Sequence, residues 1–367
     1  MIEEMNPLIS VIIPNRNGIA FIGKCLEAAF ASTHGSFEVL VVDDCSDDDS
    51  VAVIQKFPCR LIRLRRHGGA SRARNAGAEA SRGQILFFTD ADCLLMPDTL
   101  FLVEKTLRSQ GPGVVLGGTY TKEPLDTDFF SRFQSAFIHY SETKRPENPD
   151  YIASHAMALY AETFRKSGGF PGDFLPIIED VEFSHRLRRT GCRLVVNPEL
   201  QVRHMFNFSF AKSLRNAVRK AFYWTLYSLG NRDVLADSGT ASLELKADVV
   251  SFFLALALAA SAALSHNTYL LFPLPLLIGF NLFINKGLLR AFRRAGNGMF
   301  AFRAYLYYTL LYPMAVGAGA IWGMRRYVFS KIFRQMRTAE RKILDWKSKA
   351  SRAKPQSSQR KPNALVG

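Results

Sequence analysis

Gln84-Ile-Leu-Phe-Phe-Thr-Asp-Ala-Asp92 is an apolar run closed by two carboxylates, Asp90 and Asp92. The apolar part is short enough for one buried strand, and the acids fall where such a strand would leave its sheet. Hard divalent cations take oxygen ligands, and Mg²⁺ usually combines one or two carboxylates with phosphate oxygens of its substrate. An acid-x-acid pair at a strand end therefore points to a cation that neutralises a diphosphate. Acidic pairs also cap helices and solvate turns, so the neighbouring sequence has to decide.

Working back from residue 84, the same alternation repeats. Leu8–Ile13, Phe37–Val42 and Arg60–Leu64 read as strands; Ile19–Phe30, Ser50–Phe57 and Ala-rich Ser71–Ser81 read as helices. Strand, helix, strand at this spacing predicts a parallel sheet with crossover helices, whose ligands gather beyond the carboxyl ends of the strands. Asn15, Asp43, Asp44, Asp90 and Asp92 all fall at those ends. Further on, Val114–Tyr120 predicts a strand and Asp180–Arg189 a helix. Arg193–Val196 predicts a strand ended by Asn197-Pro198, and Lys212–Tyr227 a helix carrying Arg215, Arg219 and Lys220 near one side.

From Asp248 the composition changes. Val249–Leu264, Tyr269–Ile284 and Ala304–Met324 are apolar segments near the lower limit for crossing a bilayer, about 17–25 residues. Arg290, Arg293 and Arg294 lie among them. Membrane association is favoured over a set of buried helices, with two spans and a third segment in the interface, so that both chain ends stay cytoplasmic. Of the formal charge of +15, most sits in residues 324–367, which carry 13 Lys/Arg against 2 Asp/Glu. A basic block beside apolar segments points to anionic headgroups rather than nucleic acid, for which interleaved aromatics are missing. Lys347–Pro362 has the composition of a disordered stretch. Five scattered cysteines with no C-x-x-C spacing fit reduced thiols, and the first residues show no secretory pattern, so a cytoplasmic first domain is expected.

Six blocks in order then carry a resemblance. They are Ser10-Val-Ile-Ile-Pro-Asn-Arg-Asn17, Val41-Val-Asp-Asp-Cys-Ser-Asp47, Ala73-Arg-Asn-Ala-Gly77, Phe87-Phe-Thr-Asp-Ala-Asp92, Ser167-Gly-Gly-Phe170 and Glu179-Asp-Val-Glu-Phe-Ser-His-Arg186. Together, over roughly residues 7–210, they resemble family 2 glycosyltransferases of the GT-A fold. The resemblance implies an α/β, Rossmann-like mixed sheet flanked by helices over residues 1–235. Membrane-associated helices over 245–325 and a basic cytoplasmic tail over 326–367 complete the expected organisation. It also implies a nucleotide-sugar site built from Pro14, Asn15, Asn17, Asp43, Asp44, Arg72, Arg74 and Asp90. A Mg²⁺ or Mn²⁺ ion would be held by Asp92 and Asp90, with His204 as a further contact. Asp180, beside Glu179, would be the catalytic base.

The plainer roles are helix capping for Asp44, Asp47 and Asp180 and a turn at Pro14–Asn17. Gly68-Gly69 would leave backbone N–H groups open to an anion. Cys93, a soft thiol, reads as packing. The family's processive synthases carry Gln-x-x-Arg-Trp in the region of Arg215, Arg219 and Trp224, and this chain does not. That departure favours transfer of a single sugar. The apolar segments would bring the site to the bilayer, so the expected reaction is inverting transfer from a UDP- or GDP-sugar to a lipid or lipid-linked acceptor at the inner membrane, in cell-envelope glycan synthesis. A membrane adaptor that kept the fold without the reaction is the alternative. The enzyme reading expects the side chains of Asp43, Asp92 and Asp180 to share one pocket.

Overall fold

A computed structural model describes residues 7–172 and 175–329. The expected disordered stretch and most of the basic tail lie outside those residues. Eight strands form one sheet: β1 (Ile9–Asn15), β2 (Phe37–Asp43), β3 (Arg60–Arg63), β4 (Ile85–Phe88), β5 (Cys93–Leu95), β6 (Val114–Tyr120), β7 (Met157–Tyr160) and β8 (Arg193–His204). Their order across the sheet is β3-β2-β1-β4-β7-β6-β8-β5. The helices are α1 (Ile22–Phe30), α2 (Ser50–Ile54), α3 (Gly69–Ala80), α4 (Thr99–Gln110), α5 (Phe129–Thr143), α6 (Ala161–Ser167) and α7 (Glu179–Arg189). They continue as α8 (Phe210–Asn231), α9 (Leu243–Ser265), α10 (Leu274–Ile284), α11 (Lys286–Ala295), α12 (Gly298–Leu306) and α13 (Tyr312–Phe329).

The first four strands are parallel, as their spacing predicts, and β1 and β4 are apolar on both faces because helices cover both. The sheet is mixed beyond them: β7 runs antiparallel to β4 and β6, and β5 antiparallel to β8. Register sets the site. Asn15 pairs with Asp43 at the shared carboxyl edge of β1 and β2, so both side chains leave the sheet at one level.

β8 does not stop at Asn197-Pro198. Its pairing with β6 shifts between Gly117 and Thr119, and the strand resumes with Thr119 opposite Gln201. Proline cannot donate to a ladder, and the irregularity lets it sit where no ladder bond is needed. The strand then delivers His204 beside Cys93 of β5, next to Asp92.

The C-terminal helices share the core of the sheet domain. Phe133 of α5 packs against Phe292 of α11, Tyr307 and Tyr312. α13 lies close on α8: a Cβ at Gly319 would come within 2.4 Å of the Val218 carbonyl oxygen, so this crossing tolerates only glycine. α9 is long and apolar enough to cross a membrane, and little of it is buried. Thr268–Ile284 and Lys286–Ala295 meet the same measure only when taken together, and they are bent by 60°. Large apolar side chains stand exposed along α9 and α10, among them Leu264, Leu276 and Phe283.

Candidate active site

Two cavities adjoin at the carboxyl edge of the sheet. The first, about 350 Å³, is walled by Pro14, Asn15, Asn17, Asp44, Asp90 and Asp92, together with Arg16 and His67. The second, about 380 Å³, is walled by Arg74, Asp90, Glu142, His155, Glu179, Asp180, Lys220 and Trp224, among others. Ala70 and Asp90 belong to both. The three acids expected to share one pocket therefore do not. Asp92 faces the first cavity, Asp180 the second, and Asp43 neither.

Asp43 lies one layer beneath. Its Oδ1 accepts from Asn15 Nδ2 at 3.1 Å and from Ser46 Oγ at 2.5 Å. Asn15 Nδ2 also faces the Ser50 hydroxyl at 3.1 Å, which leaves Asn15 Oδ1 as a buried acceptor without a partner. Asp43 thus fixes the orientation of a residue in the cavity wall.

Asp44 corrects the reading of the two glycines. The N–H groups of Gly68 and Gly69, expected to stand open to an anion, both donate to the Asp44 carboxylate at 2.7 Å, and His67 Nδ1 lies 2.7 Å from it. An internal carboxylate occupies the start of α3, where the helix dipole favours negative charge. Gly69 adopts φ +80°, a conformation an L side chain resists, and so turns its N–H toward Asp44. The start of α2 is likewise held by Asp48, which accepts from Ser50 N at 3.0 Å, in place of Asp47.

Arg74 is buried between the cavities. Nη2 donates to Asp90 Oδ1 and Nη1 to Glu179 Oε1, each at 2.7 Å. Both terminal nitrogens are engaged, so the guanidinium joins the edge of β4 to the first turn of α7. Burial opposes the charge on Asp90, but Arg74 outweighs it and holds that carboxyl below its usual range. Arg72 lines neither cavity.

Glu179 and Asp180 open α7 directly after Ile178, a β-branched residue at φ +67°. Such a conformation costs of order 1–3 kcal/mol and persists only where surrounding structure imposes it. The Asp180 carboxylate accepts from Ser154 N at 3.1 Å and Val181 N at 2.9 Å. Burial, with the charge of Glu179 added, pushes its pKa up to about 6. It is capped and poised to take a proton near neutral pH.

The donor set around Asp92 fits a divalent cation. His204 Nε2 lies 3.5 Å from Asp92 Oδ2, and ligand atoms of Asp92, Cys93 and His204 all fall within 4.8 Å of one another. Burial pushes Asp92 up to about 7, with Asp90 adding to it; Arg74 is the countercharge of Asp90, while Asp92 has no Lys or Arg within ion-pair distance among the described residues. Burial drops His204 to about 3, which keeps its imidazole neutral and able to ligate. Its Nδ1 is buried without a partner. Phe206 stacks on the ring at 3.9 Å and fixes its plane. Cys93 is buried and its thiol is raised well above its ordinary value, in line with packing.

The second cavity contains groups that no motif announces. His155 stacks on Tyr120 at 3.9 Å, and its Nε2 stands 3.5 Å from Glu142 Oε2 without forming a hydrogen bond. Burial opposes its charged form, but Glu142 prevails and raises the pKa. Lys220 reaches in from α8 and is lowered by burial. Only the grouping of Lys220 with Arg215 and Arg219 gave a sequence signal, and that pointed to a helix face.

With this geometry in place, likeness to known proteins becomes informative. Residues 10–167 match glycosyl transferase family 2, and over that stretch the chain is similar to the family. An uncharacterized glycosyltransferase of Haemophilus influenzae is 32% identical over 197 residues, 49% of this chain and 62% of that protein. The glycosyltransferase GlyG of Streptococcus pneumoniae is 26% identical over 131 residues, 34% of this chain and 44% of that one. Each match spans less than two thirds of the relative's own length. A mannosyltransferase from Pyrobaculum calidifontis, solved with GDP-Man and Mn²⁺, superposes with a TM-score of 0.54 at 19% identity over 89% of both chains. That likeness carries the GT-A fold.

Proposed function

We propose that the protein transfers a single sugar, with inversion, from a UDP- or GDP-sugar to a lipid or lipid-linked acceptor at the cytoplasmic face of a membrane. The observation that carries this reading is the position of Asp90, shared by a cavity with a cation-binding donor set and a cavity with a raised carboxyl base. The nucleotide occupies the first cavity, where Asn15 and the Asp44–His67 pair offer polar contacts to base and ribose. The sugar lies toward the second. Solved with GDP-Man and Mn²⁺, the Pyrobaculum mannosyltransferase supports a nucleotide-sugar donor and a divalent ion here.

Asp92 and His204 would hold the ion, Mg²⁺ or Mn²⁺, whose charge would offset that of the diphosphate leaving group. The acceptor hydroxyl oxygen forms a bond to the anomeric carbon as the carbon–oxygen bond to the diphosphate breaks on the opposite face. Asp180 takes the hydroxyl proton, and the nucleoside diphosphate departs with the bonding electron pair. Arg74 holds Asp90 and Glu179 so that both cavities keep one geometry. Ile177, Ile178 and Trp224 give the second cavity an apolar wall suited to a lipid-borne acceptor.

Residues 1–235 form the catalytic unit, and 245–325 bring it to the bilayer through the exposed apolar faces of α9 and α10. The test is a panel of radiolabelled sugar nucleotides incubated with membranes containing the protein, with and without chelator. Chelator-sensitive label in the lipid extract from one UDP- or GDP-sugar supports the proposal. No transfer from any donor, with nucleotide binding intact, favours the adaptor.

A further inference from the structure

A third cavity, about 290 Å³, lies away from the catalytic pair, between α5 and α11. Each helix contributes one stripe at i, i+3, i+4 and i+7 spacing: 136, 139, 140 and 143 on α5, and 287, 290, 291 and 294 on α11. Arg290 and Arg294 stand on the α11 stripe, and Lys122, just past β6, joins them. No carboxylate lines this cavity. Among the described residues none of these three cations has an acid within ion-pair distance. Tyr140, which also lines the cavity, spends its hydroxyl on Glu244 at 3.3 Å.

Three uncompensated cations around one concavity repel one another, and a bound oxyanion removes that repulsion. Arginine forks suit phosphate oxygens in particular. The position decides the source. α11 follows α10 after the 60° bend, and α10 exposes Leu276 and Phe283. The opposite stripe of α11, with Leu288 and Phe292, is buried against the sheet domain. The cavity therefore opens where an apolar exposed helix meets the globular part, the depth at which basic pockets meet lipid headgroups.

We propose that Lys122, Arg290 and Arg294 form a discrete site for the phosphate of an anionic phospholipid headgroup, separate from the donor and acceptor cavities. The site rests on the membrane reading of α9 and α10. It would fix the catalytic unit on the bilayer in one orientation.

The test titrates the full chain, in neutral detergent, with dioctanoyl-phosphatidylglycerol, dioctanoyl-phosphatidylcholine and inorganic phosphate. Arg290→Gln/Arg294→Gln and Lys122→Gln are compared with Arg293→Gln, which alters the same helix outside the cavity. Saturable binding of the anionic lipid alone, weakened roughly tenfold or more in the double variant and retained in Arg293→Gln, is the expected result. Equal weakening in Arg293→Gln, or equal binding of the choline lipid, overturns the site. Displacement by inorganic phosphate at the concentration at which the lipid itself competes overturns the headgroup assignment. Flotation with phosphatidylcholine vesicles reads the apolar helices separately, so a failed site and a failed membrane reading give different results.

Discussion

Arg74 Nη1 stands 2.7 Å from Glu179 Oε1, across 105 residues of sequence, and the contact ties α3 to the turn that carries Asp180. With Asp90 on its other arm, the guanidinium is the joint between the two cavities. Its burial makes both partners dependent on it.

Removing one member of a buried ion pair leaves a charge uncompensated, at a cost of about 3–5 kcal/mol. Arg74→Ala is expected to lose stability on that scale, read by thermal unfolding in detergent. Arg74→Lys has one point charge in place of a fork and recovers only part of the loss.

Asp180 titrates with a folded pKa near 6, above its ordinary 3.8. As a base it works when ionised, so kcat/KM should rise through about pH 6 and fall about tenfold per unit well below it. Asp180→Asn should remove this limb and cost about 10²–10⁴ in rate for a hydroxyl acceptor. A modest loss indicates an acceptor that is already ionised, such as a polyprenyl phosphate. Stability moves the other way. Between pH 4 and 6 the folded state binds more protons at this site than the unfolded chain, so Asp180 lowers stability as pH rises. Asp180→Asn should therefore melt higher than the parent at pH 8.

Asp44 holds the N–H groups of Gly68 and Gly69. Asp44→Ala leaves two donors without a partner at the head of α3, at about 1–3 kcal/mol for a buried group. The melting temperature should fall, and phosphate added at millimolar concentration should restore part of it by taking the vacated helix start. No phosphate effect would mean that the first turn rearranges.

The strands and their terminal acids were readable because a buried strand leaves a local signature of an apolar run and a polar stop. Asn15, Asp90 and Asp92 follow from that alone. The partner of Arg74 did not, since an ion pair across 105 residues leaves no periodic trace. Gly68-Gly69 was misread for a related reason. The composition of the Gly68-Gly69 turn shows open N–H groups, while the carboxylate that fills them comes from the end of β2. β8 was cut short at Pro198 because the rule against proline in a ladder takes no account of a bulge. His155 and Glu142 meet through tertiary packing of α5 on the sheet, and neither stands in a block that reads as a motif.

His204 and Asp92 should share an ion. Mn²⁺ is expected to raise the melting temperature of the parent protein and to do so less in His204→Ala and Asp92→Asn. Affinity should fall about ten- to hundredfold, the range met when a metal site loses a supporting group. An unchanged shift in both variants would move the ion elsewhere.

The account divides labour between adjoining cavities, nucleotide and ion on one side of Asp90, proton transfer on the other. Calorimetric titration of UDP and GDP, with Mn²⁺ present, into the parent, Asp92→Asn and Asp180→Asn tests that division most directly. The predicted result is binding of one nucleotide by the parent and equally by Asp180→Asn, whatever its loss of rate, with Asp92→Asn failing to bind. Full binding by Asp92→Asn, or equal loss in both variants, would contradict it.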